Sequence, residues 1–493
     1  MEPDSLQRTR IILNVHFKAE DAAMMSSDSA QNEKPHVAVI GGGISGLMCA
    51  RTLSQKGMQV SLFEVNAKLG GQIKNVTLEG QIIDVGAEAI HLSAPGMKAL
   101  LDELELADPL VQSNPGSSWL WGENGLRVLP SGVGPSGPRH LRPVLEAKVL
   151  SLKGLLRAGL EPFIPRSKLS GDVAVGSFLR HRFGGEVADR LLDPILGSLH
   201  AGNIYKLSLR AVTPELAQIA TSGKSIMISR RGRKSAPPMS FATWPEGLTT
   251  LVMRMLNGLD VKVRTGTSVT SINSKENKRY ELELTSHPPI VVDGVVLAVP
   301  ARIAADLLAT LAPEPAELLQ KIRYASVATT VLAFPKADLQ DIAALSGNGL
   351  LIPSKQVRLL KAATFLSRKW SHLATSKFYF IRLSSGRIDE DFIEKLDDAS
   401  LVEKLRSDLR EATGITTPPT SYYVQRWPNA LPQLEVNHLA LISEVRDALK
   451  SHPAIALAGA SYDGIGISAC LRSGERAALA CVASIAERTF NEQ

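Results

Sequence analysis

Short apolar runs alternate with amphipathic stretches along this chain, and the alternation delimits its elements before any chemistry is considered. His36–Ile40 (HVAVI) and Met58–Phe63 are apolar runs of the kind buried on both faces of a parallel sheet. Between them the spacing predicts a helix from Ile44 to Lys56, stopped at Gly57, a residue type suited to the left-handed helix end. Asp84–Leu92 is strand-like with a glycine break, and Pro95–Leu106 reads as an amphipathic helix. Residues 140–210 are mostly helical, most clearly at Val173–Phe183 and Val187–Leu192. Strands return at Val261–Val263, Arg279–Leu284 and Pro289–Val299, where Asp293–Pro300 (DGVVLAVP) has the pattern of a buried parallel strand ending in a breaker. A second strand-rich block, Val327–Leu383, contains VATTVLAF, RLLKAATFL and KFYFIRLS. Leu457–Ala460 predicts a last buried strand, and a helix follows from Ser468 to Glu487.

Residues 1–33 lack such periodicity, so disorder is expected before Lys34, and the Met24–Met25 pair is an alternative translation start. No internal repeat is apparent. The remaining composition is globular: 493 residues, 44% hydrophobic and 21% charged, enough for two or three domains. Net charge is only +6, and the dense basic run Ser229–Lys234 (SRRGRK) has no interleaved aromatics, so nucleic-acid binding is not expected. Cys49, Cys470 and Cys481 form no CxxC or Cys/His cluster, which argues against a disulfide framework or zinc site and fits a reducing cytoplasm. No apolar run reaches spanning length, the N-terminus lacks secretory-signal features, and no strong amphipathic anchor stands out.

Candidate chemistry begins at Gly41–Gly46. GGGISG contains G-x-G-x-x-G at Gly41, Gly43 and Gly46, directly after a strand and opening a helix through Ile44 and Ser45. One glycine makes the turn, the next admits a pyrophosphate to the backbone, and the last lets helix and strand pack closely. The following strand closes on Glu64, an acid placed to accept hydrogen bonds from ribose hydroxyls and to repel a 2′-phosphate. The plainer alternative is a tight turn and an unrelated surface acid. A second glycine turn stands at Ile465, Gly466 and Ile467, within LAGASYDGIGISAC, and no acid-bearing strand follows it. It therefore reads as the second arm of one nucleotide site, its helix N-terminus facing negative charge on the cofactor.

The doublet Gly70–Gly71 after Glu64 resembles the extended signature of FAD enzymes in the amine oxidase flavoprotein superfamily. Those relatives carry a basic residue after the doublet, where this chain has Gln72, with Lys74 beyond it. Further motifs narrow the resemblance to the porphyrinogen oxidases: Asp193–Asn203 (DPILGSLHAGN), Tyr324–Ala328 (YASVA), Gly347–Pro353, Lys361–Trp370, Gln425–Gln433 (QRWPNALPQ) and ASYDGIGISAC. DVGAEA is similar to bacterial coproporphyrinogen III oxidases rather than mitochondrial protoporphyrinogen oxidases. The resemblance implies an α/β fold, with a discontinuous Rossmann-like FAD-binding domain (35–92, 236–302 and 440–490), a helical subdomain (93–208) and an inserted mixed-sheet substrate domain (209–235 and 303–439). It implies six-electron oxidation of coproporphyrinogen III in heme biosynthesis, with FAD as cofactor, a porphyrinogen as substrate and dioxygen as oxidant.

The resemblance also carries candidate residues. Gly86, Ala87, Glu88 and Ala89 match a stretch whose backbone passes the isoalloxazine, with a plain strand–loop as the alternative. Val269 matches a position pairing with adenine, or is simply a core valine. Trp427 matches a tryptophan near the flavin, or is a buried aromatic. No catalytic acid or base is assigned, because the flavin carries the redox chemistry. Where many relatives place basic residues for substrate propionates, this chain has Ile90–Ala94, so Arg230–Lys234 or Lys369 are the replacements considered, each more simply a surface charge. His91 reads as structural. The alternatives are a protoporphyrinogen IX oxidase, a flavin amine oxidase, which the absence of lysine in Val327–Phe334 disfavours, and a non-catalytic flavin scaffold. A cytoplasmic protein, soluble or loosely peripheral at the inner face of a membrane, is expected.

Overall fold

Five strands from distant parts of the chain form a parallel sheet in the order Val261–Thr265, Gln59–Glu64, His36–Ile40, Gly294–Leu297, Ile455–Leu457. The computed structural model describes residues 34–491 except 124, 139, 165–168, 231–239 and 340–341. The expectations for residues 1–33 and for Arg231–Lys234 lie outside the described residues. Alternation along the first strand feeds two cores. Val37 and Val39 pack with the first helix, Ile44–Gln55, and the last, Ile467–Asn491. Ala38 and Ile40 face the antiparallel strands Val269–Ser274, Tyr280–Leu284 and His287–Val292 and the helix Ala301–Leu308. This two-sided burial is why the central strands His36–Ile40 and Gly294–Leu297 are almost wholly apolar, while the edge strand Val261–Thr265 carries Lys262 and Arg264. The first helix ends as expected: Gly57 is left-handed (φ +79°), and the amide of Met58 donates back to Leu53 O at 3.1 Å.

A seven-stranded mixed sheet runs Ser421–Pro432, Tyr324–Pro335, Phe378–Ser385, Leu360–Phe365, Gly349–Leu351, Ser118–Gly122, Gly125–Val128. Leu332, Ile381 and Leu383 on one face pack with Leu401, Leu405 and Leu409 of the helix Asp398–Thr413. Val331, Ala333 and Phe380 on the other meet Ile83 and Val85, and this face borders the candidate site.

The structure corrects several boundaries. The stretch 93–208 is not uniformly helical: Met97–Glu103 packs into the first core, and Ser118–Val128 carries two strands of the large sheet. Conversely, Pro214–Ser222 and Ile226–Arg230, expected with the mixed sheet, contribute Leu216, Ile219 and Ile226 to the helical core around Leu179, Phe183 and Leu191. The stretch 289–299 is not one strand, because the chain changes sheets at Asp293, whose carboxylate accepts the His36 amide at 2.8 Å. The last strand stops at Leu457, since Ala460–Asp463 turns helical. An amphipathic element absent from the sequence expectations also emerges: Leu152–Gly159 and its flanks expose Leu152, Leu156, Leu160 and Phe163. Its short length hid it from a search for long anchors. No helix among the described residues is long and apolar enough to cross a membrane.

Candidate functional site

The first glycine turn is built by close backbone approach. Gly41 is left-handed (φ +108°), and a Cβ there would stand 2.4 Å from Ala298 O; a Cβ on Gly46 would stand 1.9 Å from Gly41 O. Gly43 differs: a Cβ there meets no protein atom within 4 Å. It caps the helix Ile44–Gln55 without a side-chain hydrogen bond, and the first turn of that helix carries no acid. The opening amides, including those of Ile44 and Ser45, thus face a cradle suited to an anion. The opposite wall is the glycine doublet. The amide of Gly70 donates to Gly42 O at 2.8 Å, and a Cβ on Gly71 would lie 3.1 Å from Gly43 Cα. Glu64, buried at the end of its strand, accepts the Gly42 amide at 2.7 Å on Oε2 and both the amide and side-chain nitrogen of Asn66 on Oε1. Two carboxylate oxygens have about four acceptor positions, so capacity for a ribose hydroxyl remains.

The Thr267 amide donates to Glu64 O at 3.0 Å, which brings the strand beginning at Val269 alongside; the Val269 side chain is buried with Ile40 and Phe63. Gln72 does not point its amide at the glycine cradle: Nε2 donates to Ala430 O at 2.7 Å, and its carbonyl accepts the Ala87 amide at 3.0 Å. Lys74 contributes its carbonyl to the Val85 amide, and its side chain is exposed. A Cβ on Gly86 would lie 1.9 Å from Gln72 O and 3.2 Å from the Trp427 ring, whose Nε1 donates to Val85 O at 3.2 Å. Gln72, Gly86, Ala87 and Trp427 are therefore one cluster.

Glu88 enters through its side chain as well as its backbone. Oε1 accepts from Lys369 Nζ at 2.7 Å and Trp370 Nε1 at 3.0 Å, and Oε2 accepts from Arg382 Nη1 at 2.8 Å. Burial pushes this carboxyl up, but Lys369 and Arg382 more than offset that and hold it at about 2. Ala89 follows and packs partly buried beside Ile83 and Trp370. Lys369 is thus committed to Glu88 rather than a solvated surface charge, and Arg230 is buried with Nη1 toward Gly137 O. The sequence signal for this cluster was Arg382, the one charge inside the strand FYFIRLSS. His91 packs edge-on against Phe241, with ring centroids 5.6 Å apart.

The second turn adjoins the first. Gly474 of the last helix lies so close to the first helix that a Cβ would stand 2.1 Å from Ser45 O. Gly464 and Gly466 are left-handed (φ +105° and +96°), with Ile465 between them, and Ile467 opens the helix. A Cβ on Gly466 would meet no protein atom within 4 Å. Asp463 holds this turn, accepting from Arg446 at 2.8 Å, from Arg476 at 2.9 Å and from Ser473 Oγ; Ser473 Oγ in turn accepts the Gly459 amide at 2.9 Å. An open cradle at Gly43 and Gly71, a buried acid beside it, and a second open turn at Gly466 fit a dinucleotide flavin.

Comparison with known proteins agrees. The flavin containing amine oxidoreductase family matches residues 44–482. The coproporphyrinogen III oxidase of Bacillus subtilis (strain 168) is 31% identical over 90% of this chain and 97% of its own length. That of Mycobacterium leprae is 30% identical over 91% and 98%. The chloroplastic protoporphyrinogen oxidase of Oryza sativa is 27% identical over 96% and 93%. A crystal structure from Exiguobacterium sp. 255-15, assigned only provisionally as a protoporphyrinogen oxidase, superposes with a TM-score of 0.82 at 25% identity, covering 92% of this chain and 99% of that one. Reduced UDP-galactopyranose mutase shares the fold, with a TM-score of 0.68 at 15% identity, covering 93% of this chain and 98% of that one. The chain belongs to the flavin-containing amine oxidoreductases, among their porphyrinogen oxidases, and its cofactor is FAD.

Proposed function

We propose that this protein oxidises coproporphyrinogen III to coproporphyrin III. The observation that carries the reading is the end-to-end similarity to bacterial coproporphyrinogen III oxidases at 30–31% identity. FAD, when bound, supplies a two-electron acceptor for each of three successive oxidations. The substrate gives up six electrons and six protons; three molecules of dioxygen take two of each and leave as hydrogen peroxide.

The protein's part is to bind and orient. Gly43, Gly70 and Gly71 would cradle the pyrophosphate on a turn that Gly41 and Gly46 pack tightly, Glu64 would take the ribose, and Val269 would offer backbone to adenine. Gly86–Ala89 and Trp427 would hold one side of the isoalloxazine, and Ile465–Ile467 its other edge. Strand register places Val327, Thr329, Gln425, Trp427 and Ser384 on the sheet face bordering this segment. Arg382, on the same face, is tied to Glu88 and Gly86 O, the positions around Trp427 are uncharged, and the strand Tyr324–Pro335 carries no lysine, which disfavours amine chemistry.

The exposed Leu152, Leu156, Leu160 and Phe163 lie in a stretch that also exposes Lys148 and Lys153, whereas Arg142 pairs with Glu146 at 2.9 Å. An apolar ridge with a basic border suits peripheral contact with an anionic membrane surface.

The reading is tested by giving FAD-loaded protein coproporphyrinogen III, protoporphyrinogen IX and a panel of amines under air, following porphyrin fluorescence and peroxide. Coproporphyrin with three peroxides per porphyrin is the expected result. Preference for protoporphyrinogen or an amine overturns the substrate; bound flavin without any turnover identifies a scaffold.

A further inference from the structure

Behind the Gly86–Ala89 segment sits a charge cluster that the binding roles above do not use. Glu88 supplies one negative charge and Lys369 and Arg382 supply two positive ones, with side-chain exposures of only 14%, 20% and 13%. Arg382 also donates through Nη2 to Gly86 O at 2.6 Å, tying the guanidinium to the backbone of the segment itself. That single bond and Glu88 already hold the strand. Lys369 adds little to the anchoring: its ammonium bonds Glu88 and rests over the Trp370 and Phe241 rings, 5.0 and 5.8 Å from their centroids. What it does add is a net positive charge where water screens poorly. Asp84, behind the same stretch and coupled to both Glu88 and Arg382, is pushed up to about 7 by burial, so the cluster is net positive below that pH, where the potentials are compared, and close to neutral above it. By contrast, the cations on Asp463 at the second turn, Arg446 and Arg476, are 40% and 58% exposed and therefore strongly screened.

We infer that Glu88, Lys369 and Arg382 form a net-positive knot that raises the reduction potential of the flavin bound along Gly86–Ala89. The inference rests on the placement of the isoalloxazine given above. Reduced flavin carries more negative charge than oxidised flavin, so poorly screened positive charge beside it favours reduction. Lys369 and Arg382 act as tuning groups, and Glu88 is the positioning residue that holds them against the segment and moderates their charge.

The test is redox titration of FAD-loaded wild type, Glu88→Gln and Lys369→Met at one fixed pH, with dithionite and indicator dyes and no porphyrinogen. Glu88→Gln removes a negative charge and should shift the potential upward; Lys369→Met removes a positive one and should shift it downward. A purely structural role produces no such opposition of sign, so shifts of the same sign, or none, overturn the inference. If Glu88→Gln does not retain FAD, the pair Lys369→Met and Lys369→Arg decides: the first should fall and the second should match wild type, and any other pattern overturns the inference. Ring placement is checked separately by FAD quenching of tryptophan fluorescence, which should weaken in Trp427→Phe. Quenching through Trp427 with an unmoved potential defeats the charge argument alone. Opposed shifts in a protein that does not turn over coproporphyrinogen defeat the functional reading alone.

Discussion

The amide of Gly42 donates to Glu64 Oε2 at 2.7 Å, so the first glycine turn and the acid at the end of the neighbouring strand form one hydrogen-bonded unit. Glu64→Ala removes both the ribose acceptor and the brace on the turn. A hydrogen bond to a charged group is worth about 1.5–3 kcal/mol, so FAD affinity should fall roughly tenfold or more. Flavin-to-protein absorbance after gel filtration measures this, and unchanged flavin content would show that Glu64 does not hold the ribose.

Gly43 and Gly46 separate cofactor binding from folding. Ala at 46 drives a Cβ into Gly41 O and should destabilise the protein by about 3 kcal/mol or more. Ala at 43 meets only open space and has an ordinary extended backbone (φ −71°, ψ 175°), so flavin-free stability should stay within about 0.5 kcal/mol of wild type. It should nevertheless lose FAD. Thermal melts of the flavin-free proteins and FAD titrations check both, and tight FAD binding by Gly43→Ala would sink the cradle assignment.

Asp84 predicts a pH dependence. Burial pushes its carboxyl from 3.8 up to about 7, against the Leu248 amide and the Arg382 charge. Its folded value lies above its unfolded one, so its stabilising contribution is full below pH 3.8 and is lost as pH rises through about 7. A displacement of this size corresponds to on the order of 4 kcal/mol. Asp84→Asn should therefore lose less stability than wild type between about pH 4 and about pH 7, as read from urea unfolding. Parallel pH profiles would show that Asp84 is ionised throughout.

The exposed side chains around Leu156 and Phe163 predict peripheral membrane binding, and no helix among the described residues is long and apolar enough to span. Wild type should sediment with vesicles containing phosphatidylglycerol and less with neutral phosphatidylcholine. Leu156→Ser with Phe163→Ser should weaken that binding about tenfold while leaving the melting temperature unchanged. Equal sedimentation of the double variant would remove the ridge as the contact.

Much of the fold was legible locally. The strand at His36–Ile40, the glycine turn, the stop at Gly57 and the strand ending on Glu64 each depend on a few neighbouring residues, through side-chain volume and backbone freedom. Ser118–Gly122 was missed because its apolar pattern is short; it pairs locally with Gly125–Val128, and its other partner, Gly349–Leu351, is remote in sequence. Glu88 showed the same limit: an acid in DVGAEA does not reveal that Lys369 and Arg382 close on it.

The sequence by itself determined where backbone must turn tightly, which runs are buried and that two glycine turns each open a helix, because these properties are written within one or two turns of chain. Only the tertiary structure decided that Gly474 rests against Ser45, bringing those turns side by side. It alone decided that Gln72 spends its amide on Ala430, and that a buried acid gathers two cations behind Gly86–Ala89. Such pairings join residues whose proximity depends on how separate layers pack, and no local pattern encodes that.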